Sequence, residues 1–158
     1  MSRHRESRIV GHTPQELATL VADVARYPEF LPWCLAARVR SRTSEAEIAD
    51  LVIGFGPFRE TFTSRVTIDQ EGQARGIRSV GIAGPFRQLE STWRFAPDAG
   101  GCRVDFELAF EFRSALLQHT VRALFAEAVR RMVAAFEKRA GALYGPPRQP
   151  SRAVAVQA

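Results

Sequence analysis

The apolar residues of this chain change their spacing twice, and that change restricts the fold more than any single motif. From Ser114 they recur every three or four positions for about twenty-five residues, with Leu117, Val121, Leu124, Phe125, Ala128, Met132 and Phe136 on one stripe. Before that helix the period is two. Cys102, Val104, Phe106, Leu108, Phe110 and Phe112 alternate with Arg103, Asp105, Glu107, Ala109 and Glu111, so one face is apolar and the other polar. This is the mark of a half-buried antiparallel strand. Residues 58–68 and 88–95 alternate in the same way, and weaker strands are expected over 35–42, 46–55 and 75–82. A long amphipathic helix after so much sheet has one large apolar surface to cover, the concave face of that sheet. The expected fold is α+β: a curved antiparallel sheet of about seven strands wrapped round a helix over 114–143. A straight helix and a twisted sheet do not match everywhere, so a gap is expected between them.

The period is also 3.6 near the start of the chain. Thr13 is a good N-cap, Pro14 fits the first helical position and Glu16 completes a capping box, while Leu17, Leu20, Val21 and Val24 share a stripe. A first strand ends at Val10, before the turn chemistry of Gly11. The helix stops at Pro28, and Pro32 prevents another long one from starting. Between them the chain presents Tyr27, Phe30, Leu31 and Trp33 on a short rigid elbow. Such an elbow suits either a wall or lid over a hydrophobic cavity or a plug of ordinary core, and the residues leave both open.

Composition narrows the function. With 158 residues, 46% hydrophobic and 25% charged, the chain is one domain of globular character. No run reaches the ~18 apolar residues of a membrane span, and the polar, basic start has no apolar stretch of a secretory signal. The expected location is the cytoplasm, with peripheral placement at the inner membrane left open. Cys34 and Cys102 fit no metal or redox spacing and read as reduced core thiols. The histidines His4, His12 and His119 have no paired spacing, and His119 is the one expected to approach a cavity, although it lies off the apolar stripe. A net charge of +5 suits an anionic lipid surface or ribosomal RNA as well as a merely solvated surface; DNA is not expected. Residues 145–158, rich in proline and small side chains, read as a disordered tail after a domain over 1–144.

Several segments, in order, carry a family resemblance. They are residues 27–34 (Tyr-Pro-Glu-Phe-Leu-Pro-Trp-Cys), 50–55 (Asp-Leu-Val-Ile-Gly-Phe), 58–66 (Phe-Arg-Glu-Thr-Phe-Thr-Ser-Arg-Val) and 84–89 (Gly-Pro-Phe-Arg-Gln-Leu) with Trp93 and Phe95. Gly101 and Cys102 with 106–112, and 124–132 (Leu-Phe-Ala-Glu-Ala-Val-Arg-Arg-Met), complete them. Together they resemble the coenzyme Q-binding START-domain family of the Bet v 1-like, polyketide cyclase-like superfamily. That group includes a mitochondrial coenzyme Q-binding respiratory protein and a bacterial ribosome-association toxin. The resemblance covers residues 5–144 and implies the helix-grip fold. It also implies non-catalytic binding of ubiquinone or a related prenyl lipid as a chaperone or carrier in respiratory electron transport. Two alternatives stand beside it: an inhibitor bound to the large ribosomal subunit, and a polyketide cyclase-like enzyme.

The candidate cavity lining is Phe30, Leu31, Trp33, Phe55, Phe62, Phe86, Trp93, Phe106, Phe110, Phe125, Met132 and Phe136, with Glu60 as the one charged member. Flat rings stack on aromatics and a flexible Met fills the remainder, which suits an isoprenoid or aromatic ligand. Glu60 shares its strand face with Phe58, Phe62 and Val66. Inward, it needs Arg38, Arg87 or a polar ligand group as compensation; at a rim it needs none. Ser64 and Ser91 fall on inward faces, placed either to meet a quinone carbonyl or to relieve crowding. No Ser-His-Asp arrangement, phosphate loop or metal cluster supports catalysis. Arg130, Arg131 and Arg139 on the long helix are the candidate cations for ribosomal RNA or anionic lipid.

Overall fold

The computed structural model describes residues 1–157, the side chain of Phe55 excepted. Strand β1 (Ser2–Val10) leads into helix α1 (Pro14–Ala22), whose start is built as the sequence predicts. The Glu16 amide donates to Thr13 Oγ1 at 3.1 Å and the Thr13 amide donates to Glu16 Oε1 at 2.9 Å, closing a reciprocal capping box. Leu17, Leu20 and Val21 bury its inner stripe. A short 3-10 helix (Val24–Glu29) forms the elbow and carries Pro28 within it. The Tyr27 hydroxyl donates back to the Val21 carbonyl, so the elbow is tied to the last turn of α1. Leu31, at 2% exposure, enters the core directly behind it.

Six more strands follow: β2 (Cys34–Arg42), β3 (Glu47–Phe55), β4 (Phe58–Glu71), β5 (Ala74–Ala83), β6 (Phe86–Asp98) and β7 (Gly101–Phe112). Each pairs antiparallel with its successor, and β1 closes onto β7 with Ser2 opposite Phe110 and Val10 opposite Cys102. At Gly84 the backbone has φ of 131°, and a Cβ there would sit 2.7 Å from that of Phe62. Only glycine lets the β5–β6 turn pass so close to the inner face of β4.

The long helix α2 (Ala115–Tyr144) is capped by Ser114, whose hydroxyl accepts from the Leu117 amide. It buries Leu117, Gln118, Val121, Val129, Met132, Phe136 and Ala140, while Leu124, expected on the stripe, is 44% exposed. Both ends of α2 are pinned by polar contacts. Near its start the Gln118 amide group accepts from the Phe112 backbone at 2.7 Å and donates to Ser2 Oγ at 3.1 Å. Near its end Glu137 pairs with Arg8 at 2.9 Å and Arg139 with Glu29 at 2.8 Å. The middle of the helix spans the hollow of the sheet.

The described residues add an eighth strand, β8 (Arg152–Gln157), beyond the seven expected. It lies within the segment the sequence suggests as a disordered tail, and runs antiparallel along the outer edge of β1. The approach is fixed by close backbone contacts. The Arg148 amide donates to the Gly11 carbonyl at 2.8 Å, and His12 Nε2 donates to the Gly145 carbonyl at 3.0 Å. A Cβ on Gly11 would lie 2.4 Å from the Gln149 carbonyl oxygen, so the tail passes only because that side chain is missing. Every residue of β8 is exposed, and its ladder is backbone pairing that buries no apolar face. No described helix is long and apolar enough to cross a membrane.

Candidate ligand cavity

A cavity of about 180 Å³ lies between the concave sheet and the middle of α2. The sheet reaches it because period-two alternation sends every second residue inward: Leu51 and Ile53 from β3, Phe62, Ser64 and Val66 from β4, Ile77 and Ser79 from β5. Leu89, Ser91 and Trp93 from β6 and the even-numbered residues 106–112 of β7 continue the wall. The helix supplies Val121, Phe125, Ala128, Val129, Met132 and Phe136, the positions of a 3.6 period that face the sheet. Tyr27, Leu31 and Trp33 of the elbow close one end. Among the described residues, no charged side chain takes part in this wall.

The aromatic residues brace one another. Trp93 lies 4.3 Å from Phe106 and 5.4 Å from Phe136, Phe86 stacks on Phe112 at 4.5 Å, and Phe110 meets Phe125 at 4.8 Å between ring centroids. Phe136 is the junction: Tyr27 and Phe30 also meet it edge-on, at 5.6 and 5.3 Å. The rings are therefore core and wall at once, which is how the hollow stays open without collapsing.

Ten of the thirteen expected lining residues stand on this wall: Leu31, Trp33, Phe62, Phe86, Trp93, Phe106, Phe110, Phe125, Met132 and Phe136. Phe30 does not. Its ring packs against Phe136 with the Arg139 guanidinium 5.1 Å above it. Phe30 lies just past the 3-10 helix, and the Leu31 amide returns to the Tyr27 carbonyl at 2.9 Å, so residues 27 and 31 share the inward side while residue 30 turns toward the end of α2. Glu60 is a second correction. It pairs with Ile53 near the turn of the β3–β4 hairpin, half-buried and off the wall. Among the described residues it forms no ion pair with Arg38 or Arg87, and Arg87 instead faces Glu111 at 3.9 Å. A carboxylate at the rim is hydrated and needs no buried partner. The expectation for Phe55 falls on a side chain outside those described.

Alternation alone already placed Leu108 and Phe112 on the inward face of β7, and the wall includes them. Ser79 was harder to see, since the large apolar residues of β5, Ile77, Val80 and Ile82, do not keep a single period-two face. The histidine near the cavity is also a different one. His119 is exposed, whereas His4, on β1, is 6% exposed and lies 6.2 Å from Phe106 and 6.1 Å from Phe125, behind the wall. Burial pushes its pKa below the ordinary imidazole value, with Glu6, 4.0 Å away, opposing that shift. Both thiols are buried and unpaired, and burial raises them to about 11 for Cys34 and about 12 for Cys102, which leaves them protonated and unreactive. The candidate cations of α2 divide. Arg130 and Arg131 are exposed and share Glu127, while Arg139 is committed to Glu29 and the Phe30 ring.

Comparison with known proteins gives a consistent picture. Residues 10–137 match the model of the family described as polyketide cyclase / dehydrase and lipid transport. The mitochondrial coenzyme Q-binding protein COQ10 homolog B of Xenopus laevis is 36% identical over 156 residues, covering 96% of this chain and 63% of the relative. The chain thus spans under two thirds of that relative's length. The ribosome association toxin RatA of Rickettsia prowazekii is 39% identical over 142 residues, 89% of this chain and 97% of the toxin. The solution structure of an 18 kDa protein from Caulobacter crescentus superposes with a TM-score of 0.73 at 35% identity, covering 92% of this chain and 100% of that one.

Proposed function

Because this chain belongs to the polyketide cyclase / dehydrase and lipid transport family, we propose that it binds ubiquinone or a related polyisoprenoid lipid in the cavity under α2, as a carrier or chaperone supporting respiratory electron transport. The observation that carries the reading is the wall itself: aromatic, uncharged and enclosing about 180 Å³, in a chain 36% identical to a coenzyme Q-binding relative. The volume is below the ~300–1,000 Å³ of pockets that enclose a drug-sized ligand, which suits a ring and its first isoprene units better than a complete long tail. The reading is one of binding without chemistry, since the wall holds no carboxylate, imidazole or amine positioned as acid or base. Lipid extraction and mass spectrometry of protein purified from its own host should yield a quinone or another prenyl lipid. Finding none, in a host that makes ubiquinone, overturns the proposal.

A second reading has its own support. The RatA relative is matched over nearly its whole length, and the net charge of +5 suits an RNA surface. On this reading the exposed Arg130 and Arg131 would bear on the large ribosomal subunit, and Arg139 would not. Co-sedimentation with that subunit at low salt, lost at high salt, is the expected result. No co-sedimentation at any salt removes it. Flotation with anionic liposomes tests whether the same cations hold the protein at the inner membrane instead.

A further inference from the structure

The cavity wall is uncharged but not without polarity. Ser64, Ser79 and Ser91 sit on three successive strands, β4, β5 and β6, and all three face the cavity. Ser79 and Ser91 are direct cross-strand partners. Ser64, at 1% exposure, shares a hydrogen bond with the hydroxyl of Ser79. Each hydroxyl carries one O–H donor. The Ser64–Ser79 bond uses one of two, so that pair retains one O–H. Ser91 has no hydrogen-bond partner among the described residues and retains its own. The Tyr27 hydroxyl is already spent on the Val21 carbonyl. Among the described residues, the other polar side-chain groups of the wall are the indole N–H donors of Trp33 and Trp93 and the thioether of Met132, a weak acceptor on the helix side. A hydrocarbon filling this space leaves two O–H donors without partners, whereas one carbonyl oxygen has two lone pairs to receive them. A carboxylate or phosphate finds no cation on the wall to offset its desolvation.

We propose that Ser79, supported by Ser64, and Ser91 form a hydroxyl anchor for the carbonyl oxygen of a neutral, flat, apolar ligand such as a quinone ring, and that this anchor selects against charged lipids. The inference rests on the binding reading above and adds to it the atoms that set orientation and selectivity. The ring oxygen lies against the β5–β6 serines, and the apolar remainder runs along the aromatic side of α2.

The test is a calorimetric titration with three probes: a short-tailed benzoquinone, the matching alkylbenzene without ring oxygens, and a fatty acid of similar length. The wild-type protein should prefer the quinone over the alkylbenzene by about tenfold, the worth of one or two neutral hydrogen bonds. In the Ser64→Ala/Ser79→Ala/Ser91→Ala triple variant, which removes every hydroxyl of the anchor, that ratio should fall to near one through weaker quinone binding alone. Ser91→Thr keeps a hydroxyl on a residue that suits a strand and should preserve the preference, which separates loss of the anchor from loss of the fold. A wild-type ratio near one, or a triple variant that keeps its preference, overturns the anchor while leaving cavity binding intact. Fatty acid bound as tightly as the quinone overturns the selectivity. If the wild type binds neither apolar probe, the binding reading fails and the anchor with it.

Discussion

Truncation of Phe136 is the most direct test of how the cavity is held open. Its ring is 8% exposed and borders the cavity. It receives edge-on contacts from Tyr27 and Phe30 of the elbow and from Trp93 of β6, so a single side chain joins helix, elbow and sheet. Phe136→Ala removes a buried aromatic, at a cost of roughly 3–5 kcal/mol. The upper half of that range is expected, because the void opens into a space already about 180 Å³ and the braced neighbours cannot close over it. Taking about 4 kcal/mol and ~2–4 °C per kcal/mol for a domain of this size, the melting temperature should fall by ~8–16 °C. Urea unfolding followed by circular dichroism gives the same quantity from the midpoint, provided the slope is unchanged. Phe30→Ala is the companion measurement. Its ring touches Phe136 from outside the cavity and should cost about 1–2 kcal/mol, the effect of a half-buried apolar side chain. A loss under about 2 kcal/mol for Phe136→Ala would refute the reasoning, since it would mean that elbow, helix and sheet hold together without their common ring.

Trp33→Ala, at the half-buried end wall, should lower lipid retention more than it lowers the melting temperature; a collapsed melt whose folded remainder keeps full lipid would mark the elbow as purely structural. Thr13→Ala removes one side of the capping box and should cost about 1 kcal/mol in urea, against no change if α1 is held by packing alone. Burial depresses the pKa of His4 in the folded state, so as pH falls through the ordinary imidazole value near 6.5 the unfolded chain takes up its proton first. Stability is therefore complete above that pH and declines below it, by at most about 1.4 kcal/mol per pH unit until the folded-state pKa is passed. Unfolding curves between pH 7.5 and 5 should show this slope reduced in His4→Gln, and an unaltered slope would show that other groups set it.

The fold was legible because its two periods are long and clean. Residues 102–112 alternate without interruption, and α2 keeps its stripe through Phe136, so strand, helix and their contact follow from patterning. The capping box at Thr13 and Glu16 could be read residue by residue, since it depends on local chemistry only. The cavity was legible as a surface, from the inward face of β7 and the stripe of α2, but not as a list. Alternation says that Glu60 shares a face with Phe62; it does not say whether the cavity extends as far as residue 60, beside the β3–β4 turn. Phe30 was misplaced because it leaves the 3-10 helix in a non-helical conformation, and two prolines say only that an α-helix stops. His4 and β8 escaped for a shared reason. Their positions depend on pairings with residues about a hundred or more apart in the chain, and β8, apolar throughout residues 153–156, lacks the polar and apolar alternation that would signal a half-buried strand.

The placement of β1 has a consequence for the order in which the protein can be assembled. Its inner neighbour is β7, with Ser2 opposite Phe110, and its outer neighbour is β8, with Arg5 opposite Gln157. A ribosome therefore makes β1 first and both of its partners last. At ~5–20 residues per second the strand waits several seconds or longer with both edges unpaired. The strands β2 to β6 can form as successive hairpins while it waits, each closing on the one before. The charges along β1, Arg3, Arg5, Glu6 and Arg8, then acquire a use apart from the folded state. They keep a solitary strand in solution, and away from the β2 edge or another nascent chain, until its proper partner emerges.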